Sequence, residues 1–165
     1  MATNNPKQIM HNVVDALITF YPIITIIAVL IGVIFIIVGM VRLTKHGKQA
    51  GMRHYSPVTT ICYLLAGTFL VSLNAFIDML SKTVFGADKI PYNSNLFESI
   101  EHKTSEPMQM IYVVMIVVGV VSIIRGMMLM TRVGEQQHSE GMTKVITHLI
   151  AGVFAINLQY VISMF

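Results

Sequence analysis

Four long apolar stretches limit what this chain can fold into. They cover residues 18–43, about 58–80, 108–131 and 145–165. A helix needs about 20 mostly apolar residues to cross a hydrocarbon core about 30 Å thick, and each stretch is long enough. Backbone groups in lipid must be hydrogen-bonded within the segment, and these stretches lack the two-residue alternation of barrel strands. The sequence therefore predicts an all-α membrane protein with four transmembrane helices.

Composition supports a lipid environment. Hydrophobic residues make up 55% of the 165 residues and charged residues only 12%, whereas soluble domains carry about 25% charged residues. The net charge of +3 is modest and the basic residues cluster at helix ends. They are therefore interpreted as topology signals, and no direct nucleic-acid binding is predicted. Cys62 is the only cysteine, which excludes an intrachain disulfide and a cysteine-based zinc cluster.

Two segments outside the stretches differ in the structure that their residues favour. In residues 1–17, Asn5 could cap a helix that begins at Pro6, and apolar residues between 9 and 17 share one face. This pattern predicts a short N-terminal helix lying in the membrane interface, with a frayed terminus as the alternative. Residues 81–107 contain proline, glycine and asparagine, which favour turns, and form the one long connection.

The second half of the chain repeats the sequence pattern of the first half. At an offset of 87 positions, Gly32, Gly39, Thr44 and Gly47 reappear as Gly119, Gly126, Thr131 and Gly134. In the following helices the offset is 85, and the Ala-Gly-x-Phe pattern containing Gly67 reappears with Gly152. A hairpin loop two residues shorter explains the change of offset. Residues 18–80 and 108–165 are therefore predicted to be two hairpin repeats. Because each has an even number of spans, the repeats are expected to be parallel.

Glycine spacing indicates close helix packing. Gly32 and Gly39 are two turns apart and share a face, as do Gly119 and Gly126. Small residues on one face allow helices to approach closely in lipid. The six predicted helix-packing residues are Gly32, Gly39, Gly67, Gly119, Gly126 and Gly152. The sequence leaves open whether this packing lies within one chain or between subunits.

Basic residues predict the orientation. Positive charges in short loops mark the cytoplasmic side, and most of them follow the first and third stretches. The residues assigned to topology or lipid headgroups are Arg42, Lys45, Lys48, Arg53, Arg125 and Arg132. Both hairpin loops are therefore predicted to be cytoplasmic. The N- and C-termini and the long connection are then periplasmic, in a bacterial inner membrane.

Ionisable residues within the stretches include Arg125, His148 and Asp78. Arg125 is a charge inside a span, which favours a functional role, but its position near the cytoplasmic end would allow its side chain to reach the headgroups. His148 has no histidine or carboxylate three or four residues away, so it is interpreted as a packed or interfacial residue and not as a metal ligand. Asp78 is expected to reach the opposite interface instead of pairing with Arg125.

A polar band accompanies the repeat. Ser72 and Asn74 in the second stretch correspond to Asn157 and Gln159 in the fourth. Such side chains hydrogen-bond between membrane helices, at about 0.6–2 kcal/mol each. The band is expected either to hold helices together or to line a hydrated path in an oligomer.

No catalytic pattern is visible. The sequence contains no Walker loop, no nucleophile elbow and no paired carboxylates within a span, so no enzyme activity, metal or cofactor is predicted. A transporter usually has broken helices at its substrate site, and these stretches are expected to be continuous.

The pattern as a whole resembles a known family. A Gly-rich first helix, a basic loop with His46-Gly47 and Gly51, and a helix with the Leu-x-Ala-Gly-x-Phe motif of Gly67 are similar to the IcmC/DotE group and the related TraQ-like proteins. The resemblance covers residues 18–165. It implies a non-enzymatic inner-membrane component of a type IVB secretion or conjugative DNA-transfer apparatus, which helps to assemble or line the transport complex. Its partners would be membrane lipids and other membrane subunits.

Two other functions remain as alternatives. One helix, a basic loop and a second helix are also the plan of conjugative pilins, so the chain could be a self-assembling pore or pilin-like homo-oligomer. A small transporter ranks third.

Overall fold

The computed structural model describes residues 6–48, 57–86, 106–136 and 139–164, and all regular structure in these ranges is helical. The helices are α1 (Pro6–Lys48), α2 (Pro57–Val71), α3 (Leu73–Phe85), α4 (Glu106–Gln136), α5 (Ser139–Ile156) and α6 (Leu158–Ser163). α1 and α4 are each long and apolar enough to cross a membrane, and α2 with α3 gives a third crossing if the bent pair is one span. The chain is thus a helical membrane protein with two or three helices able to span.

α1 is longer than expected. It begins at Pro6, the predicted first helical position, and continues without a break between Leu17 and Ile18. Asn5 lies outside the described residues. Val14 is buried, and Leu17 and Ile18 pack against the same core. The first turns of α1 are therefore part of one helix packed on the bundle, and they do not form a separate interfacial helix.

The second and fourth stretches are broken, so the prediction that they are continuous was wrong. α2 and α3 meet at Ser72 with a bend of 98°, and α5 and α6 meet at Asn157. These residues are equivalent under the offset of 85. Their backbones are also alike, with φ −103° and ψ 41° at Ser72 and φ −98° and ψ 24° at Asn157.

Hydrogen bonds from side chains to the preceding turn accompany the breaks. The hydroxyl of Thr68 donates to the Leu64 carbonyl at 2.8 Å, and that of Ser72 donates to the Thr68 carbonyl at 2.8 Å. At the second break, Nδ2 of Asn157 donates to the Val153 carbonyl at 2.9 Å. Such bonds favour bending. Thr25, Thr44 and Thr147 make the same bond inside unbroken helices, so these bonds contribute to the breaks but do not cause them alone.

Each long helix packs against its successor through a pair of glycines. A Cβ placed on Gly32 would lie 2.8 Å from the Gly67 carbonyl oxygen, and one on Gly67 would lie 2.8 Å from the Gly32 oxygen. Gly119 and Gly152 make the equivalent contact, at 2.7 and 2.8 Å. The backbones touch at both crossings, so no side chain fits between the helices.

α4 lies at the centre of the bundle. It contacts α1, α2 and α5, whereas no contact joins α5 to α1 or α2 in the described ranges. The core contains fully buried residues from α2, α3 and α4, among them Leu70, Leu73, Val120 and Ile123. The outer side of α1 consists of exposed Ile, Leu, Val and Phe side chains. This apolar exterior fits a lipid surrounding.

Candidate functional site

The polar band lies at the two helix breaks. Ser72 forms the first break and is exposed. Two residues after Ser72, Oδ1 of Asn74 accepts a hydrogen bond of 2.9 Å from the Tyr21 hydroxyl. This bond ties the start of α3 to α1, so both band residues of the first half hold the bend in place.

The second break is tied to the first half of the chain. Nδ2 of Asn157 donates a 2.8 Å hydrogen bond to Oγ of Ser81 on α3. Ser81 is 3% exposed, so this bond satisfies a buried hydroxyl. Because α3 leaves Ser72 at a steep angle and reaches Asn157, both breaks lie at the same end of the bundle.

Aromatic rings reinforce this bridge. The ring of Phe85, at the end of α3, makes edge contacts with Phe154 on α5 and Tyr160 on α6, each with centroids 5.4 Å apart. Phe85 and the hydrogen bond from Asn157 together fasten α3 to the second half of the chain.

The four band residues do not converge on one point. Gln159 is half-buried on α6, and within the described residues no hydrogen bond joins Ser72 or Asn74 to Asn157 or Gln159. Instead, Ser81 and Tyr21 are the partners, and sequence reasoning missed both. The spacing of Leu73, Ile77 and Ser81 by four residues on one face of α3 could have identified the buried serine.

The basic residues have different surroundings. Arg42 stacks over the ring of Tyr63, with its guanidinium carbon 4.5 Å from the centroid. Lys45, Arg125 and Arg132 are exposed. The side chain of Lys48 and the whole of Arg53 lie outside the described residues. Arg125 stands on the outer side of α4, from which a long side chain can reach the headgroup region.

Asp78 and Lys82 form an ion pair one turn apart on α3, with Nζ 2.7 Å from Oδ2. Both side chains are half-exposed, at 31% for Lys82 and 27% for Asp78. Asp78 therefore forms its ion pair within α3, and Arg125 is not its partner in this pair.

The same position in each hairpin carries different chemistry. In the first, Phe35 on α1 meets Tyr63 on α2 edge-on, with centroids 5.6 Å apart. In the second, the equivalent residues are Ser122 and His148, and the Ser122 hydroxyl donates to the His148 carbonyl at 2.9 Å. The His148 ring nitrogen Nδ1 lies 2.8 Å from the Lys144 carbonyl oxygen on its own helix. His148 thus serves helix packing.

In the part of the chain that the structure describes, no three His, Cys, Asp or Glu residues come together as metal ligands. The arrangement is suited to holding helices against one another, through backbone contacts at glycines and hydrogen bonds at the breaks. No protein-family model, curated protein or solved structure matches this chain.

Replacing Asn157 with alanine should lower the free energy of unfolding by about 1–2 kcal/mol, because Ser81 loses its partner in a buried place. The measurement is reversible unfolding in mixed micelles, combined with Ser81→Ala in a double-mutant cycle. Ser163→Ala removes an exposed hydroxyl bonded only to the Tyr160 carbonyl and serves as the control. Additive effects of the Asn157 and Ser81 substitutions would contradict the assignment.

Proposed function

We propose that this chain is a non-enzymatic inner-membrane subunit of a bacterial type IVB secretion or conjugative transfer apparatus, where it helps to assemble or line the transport complex. The observation that carries the proposal is the paired glycine contact of Gly32 with Gly67 and of Gly119 with Gly152. It builds two helical hairpins of the same design, and the resemblance to IcmC/DotE-like proteins rests on these glycine-containing helices.

The proposal includes two parallel hairpin repeats. Equivalent residues make equivalent contacts: Ile36 meets Gly67 as Ile123 meets Gly152, and Leu64 meets Gly39 as Leu149 meets Gly126. The breaks at Ser72 and Asn157 are equivalent as well. In this arrangement the chain passes the membrane four times, with α2 and α5 completing the shorter passages, and with both termini in the periplasm.

The state of the polar groups supports a structural role. Ser72, Asn74 and Asn157 each hydrogen-bond to a protein group. The breaks remove the sequence argument against a small transporter, because broken helices often form transport sites. However, a transport site needs polar groups directed at a substrate, and these three side chains already bond to protein groups at the two breaks.

The test is purification of the tagged chain, expressed at its native level in the organism that encodes it. After gentle solubilisation, native mass spectrometry should show the chain in complexes with other membrane proteins of constant composition. A second membrane protein, tagged in the same way and of equal abundance, controls for chance association. A chain recovered alone as a monomer would contradict the proposal.

A second candidate function is a self-assembling homo-oligomer. It is favoured by one observation. Val120, Ile124 and Met127 are buried on α4, and their counterparts on α1, the identical residues Val33, Ile37 and Met40, are exposed. In the same experiment, an assembly that contains only this chain would favour it over a mixed complex.

A further inference from the structure

We propose that copies of this chain assemble head to tail in the membrane, with the outer face of α1 of one copy docked on the exposed face of α4 and α5 of the next. The inference rests on the two-repeat arrangement of the proposed function, and it extends that function by naming the surface and its occupant.

The first observation concerns α4 and α1. On α4, Val120, Ile124 and Met127 are 0%, 8% and 1% exposed. At the offset of 87 their counterparts on α1 are Val33, Ile37 and Met40, the same three residue types, and these are 42%, 52% and 51% exposed. These three residues thus occur twice in the chain at equivalent positions, and only the set on α4 is buried.

The second observation concerns α2 and α5, which carry the complementary face. Cys62 and Ala66 on α2 are buried. Ala66 belongs to the same core cluster as Val120 and Ile124 of α4, and α2 contacts α4. At the offset of 85 their counterparts on α5 are Thr147 and Ala151, and both are exposed. Farther along the same side of α5, Phe154 is 43% exposed, and the ring of Phe85 on α3 contacts it at one edge. At Thr147 and Ala151, the α5 surface that corresponds to the buried face of α2 is therefore open.

The contact between the two hairpins is asymmetric. α4 packs on both α1 and α2, whereas α1 makes no contact with α5 in the described ranges. A twofold relation between the hairpins would require both contacts. In this relation, the first helix of one hairpin packs on both helices of the hairpin before it. If the next hairpin belongs to a second copy, its α1 packs on α4 and α5 of the first copy. Contacts of this kind are heterologous and lead to rings or open filaments.

Lipid contact alone does not account for this pattern. On the neighbouring side of the same helices, Ile27 and Ile34 on α1 and their counterparts Val114 and Val121 on α4 are all exposed. These positions differ between the two halves, as expected where lipid is the only neighbour. On the proposed docking face, Val33 with Val120, Ile37 with Ile124, Met40 with Met127 and Thr44 with Thr131 are identical pairs. One pair on this face differs, because the exposed Ile26 corresponds to the buried Val113.

The test uses thiol cross-linking in native membranes. In a Cys62→Ala background, which removes the only cysteine, Ile37→Cys and Ala151→Cys are combined in one chain. Ile36 contacts Gly67 in the first hairpin, so Ile37 lies at the depth of Ala66 and hence of its counterpart Ala151. A short bifunctional thiol reagent should produce a ladder of dimers, trimers and larger species.

The matched control is Ile34→Cys combined with Ala151→Cys, because Ile34 is as exposed as Ile37 but lies on the lipid side. The docking pair should cross-link several-fold more than this control. Co-expression of the two single variants should stop at dimers, as head-to-tail contact requires.

Three results would overturn the inference: equal cross-linking in the control, homodimers from either single variant, or monomers only. All substituted positions except Cys62 are exposed, so folding should be retained, and thermal unfolding of each variant verifies it. If ladders are absent while other membrane proteins still co-purify with the wild-type chain, the docking proposal fails and the proposed function stands.

Discussion

Replacing Gly152 with alanine is expected to open the second hairpin. The added Cβ would lie 2.6 Å from Cγ1 of Ile123 and 2.8 Å from the Gly119 carbonyl oxygen. A backbone oxygen cannot rotate away as a side chain can, so α4 and α5 must move apart. Overpacking costs about 1–3 kcal/mol, whereas alanine gains up to about 1 kcal/mol over glycine in helix propensity. The expected net result is a lower unfolding free energy, measured by reversible unfolding in mixed micelles.

Gly126→Ala provides the control for this prediction. Gly126 lies on the same face of α4, two turns from Gly119, and its added Cβ would come no closer than 3.3 Å to Leu149 and 3.4 Å to His148, both side-chain contacts. The propensity gain is the same as for Gly152→Ala, so the difference between the two variants isolates the backbone contact. Equal stabilities would show that the helices do not pack closely at Gly152. Gly67→Ala should reproduce the loss in the first hairpin.

Replacing Phe85 with alanine is expected to release α3 from the second hairpin. The ring makes two aromatic contacts with centroids 5.4 Å apart, to Phe154 and Tyr160. Each such contact is worth about 0.5–1.5 kcal/mol, so the variant should lose about 1–3 kcal/mol of the energy that holds α3 in place. Once α3 separates, the buried Ser81 becomes accessible. A Ser81→Cys reporter in a Cys62→Ala background should then react with a soluble maleimide several-fold faster.

Val84→Ala is the control for this reporter experiment. Val84 precedes Phe85 on α3, but its side chain is 44% exposed, so its loss should leave the labelling rate unchanged. Labelling that is equally fast with Phe85 present would show that α3 is already detached. An equal acceleration by both variants would show a general weakening of α3 and contradict the specific role of the ring.

The sequence predicted the helical class and the location of the long helices well. The stretch 108–131 lies inside α4, and 18–43 lies inside α1, because sustained hydropathy over more than 20 residues has few alternatives to a long helix. The glycines also lie at helix contacts, since their spacing by two turns places them on one face.

The breaks at Ser72 and Asn157 could not be found in the same way. Hydropathy reports the transfer of side chains into lipid, and one polar residue among leucine and valine barely changes its average. Hydroxyls that bond to the preceding turn favour bending, but they do not identify a break. Thr143 and Thr147 have the same spacing as Thr68 and Ser72, and they lie in an unbroken part of α5.

The partners within the candidate site were also beyond sequence reasoning. Ser81 was assigned to the connection after the second stretch, yet it is buried on α3 and bonded to Asn157. That contact joins residues 76 positions apart, and it exists only because α3 turns sideways at Ser72. Similarly, the sequence shows that Met40 and Met127 occupy equivalent positions, but only the structure shows that Met127 is buried and Met40 is exposed.

The length of α1 has a consequence for the space outside the bilayer. Its 43 residues extend about 65 Å at 1.5 Å per residue. Membrane helices tilt by 0–40°, and even at the upper limit this helix reaches about 50 Å along the membrane normal. That is more than the 40–45 Å of a bilayer with its headgroups. A straight α1 of this length therefore extends beyond the headgroups. Its N-terminal turns carry exposed polar side chains, among them His11, whose Nδ1 lies 2.7 Å from Oδ2 of Asp15. A protein that binds the part of α1 beyond the headgroups would be held at a constant height above the lipid surface.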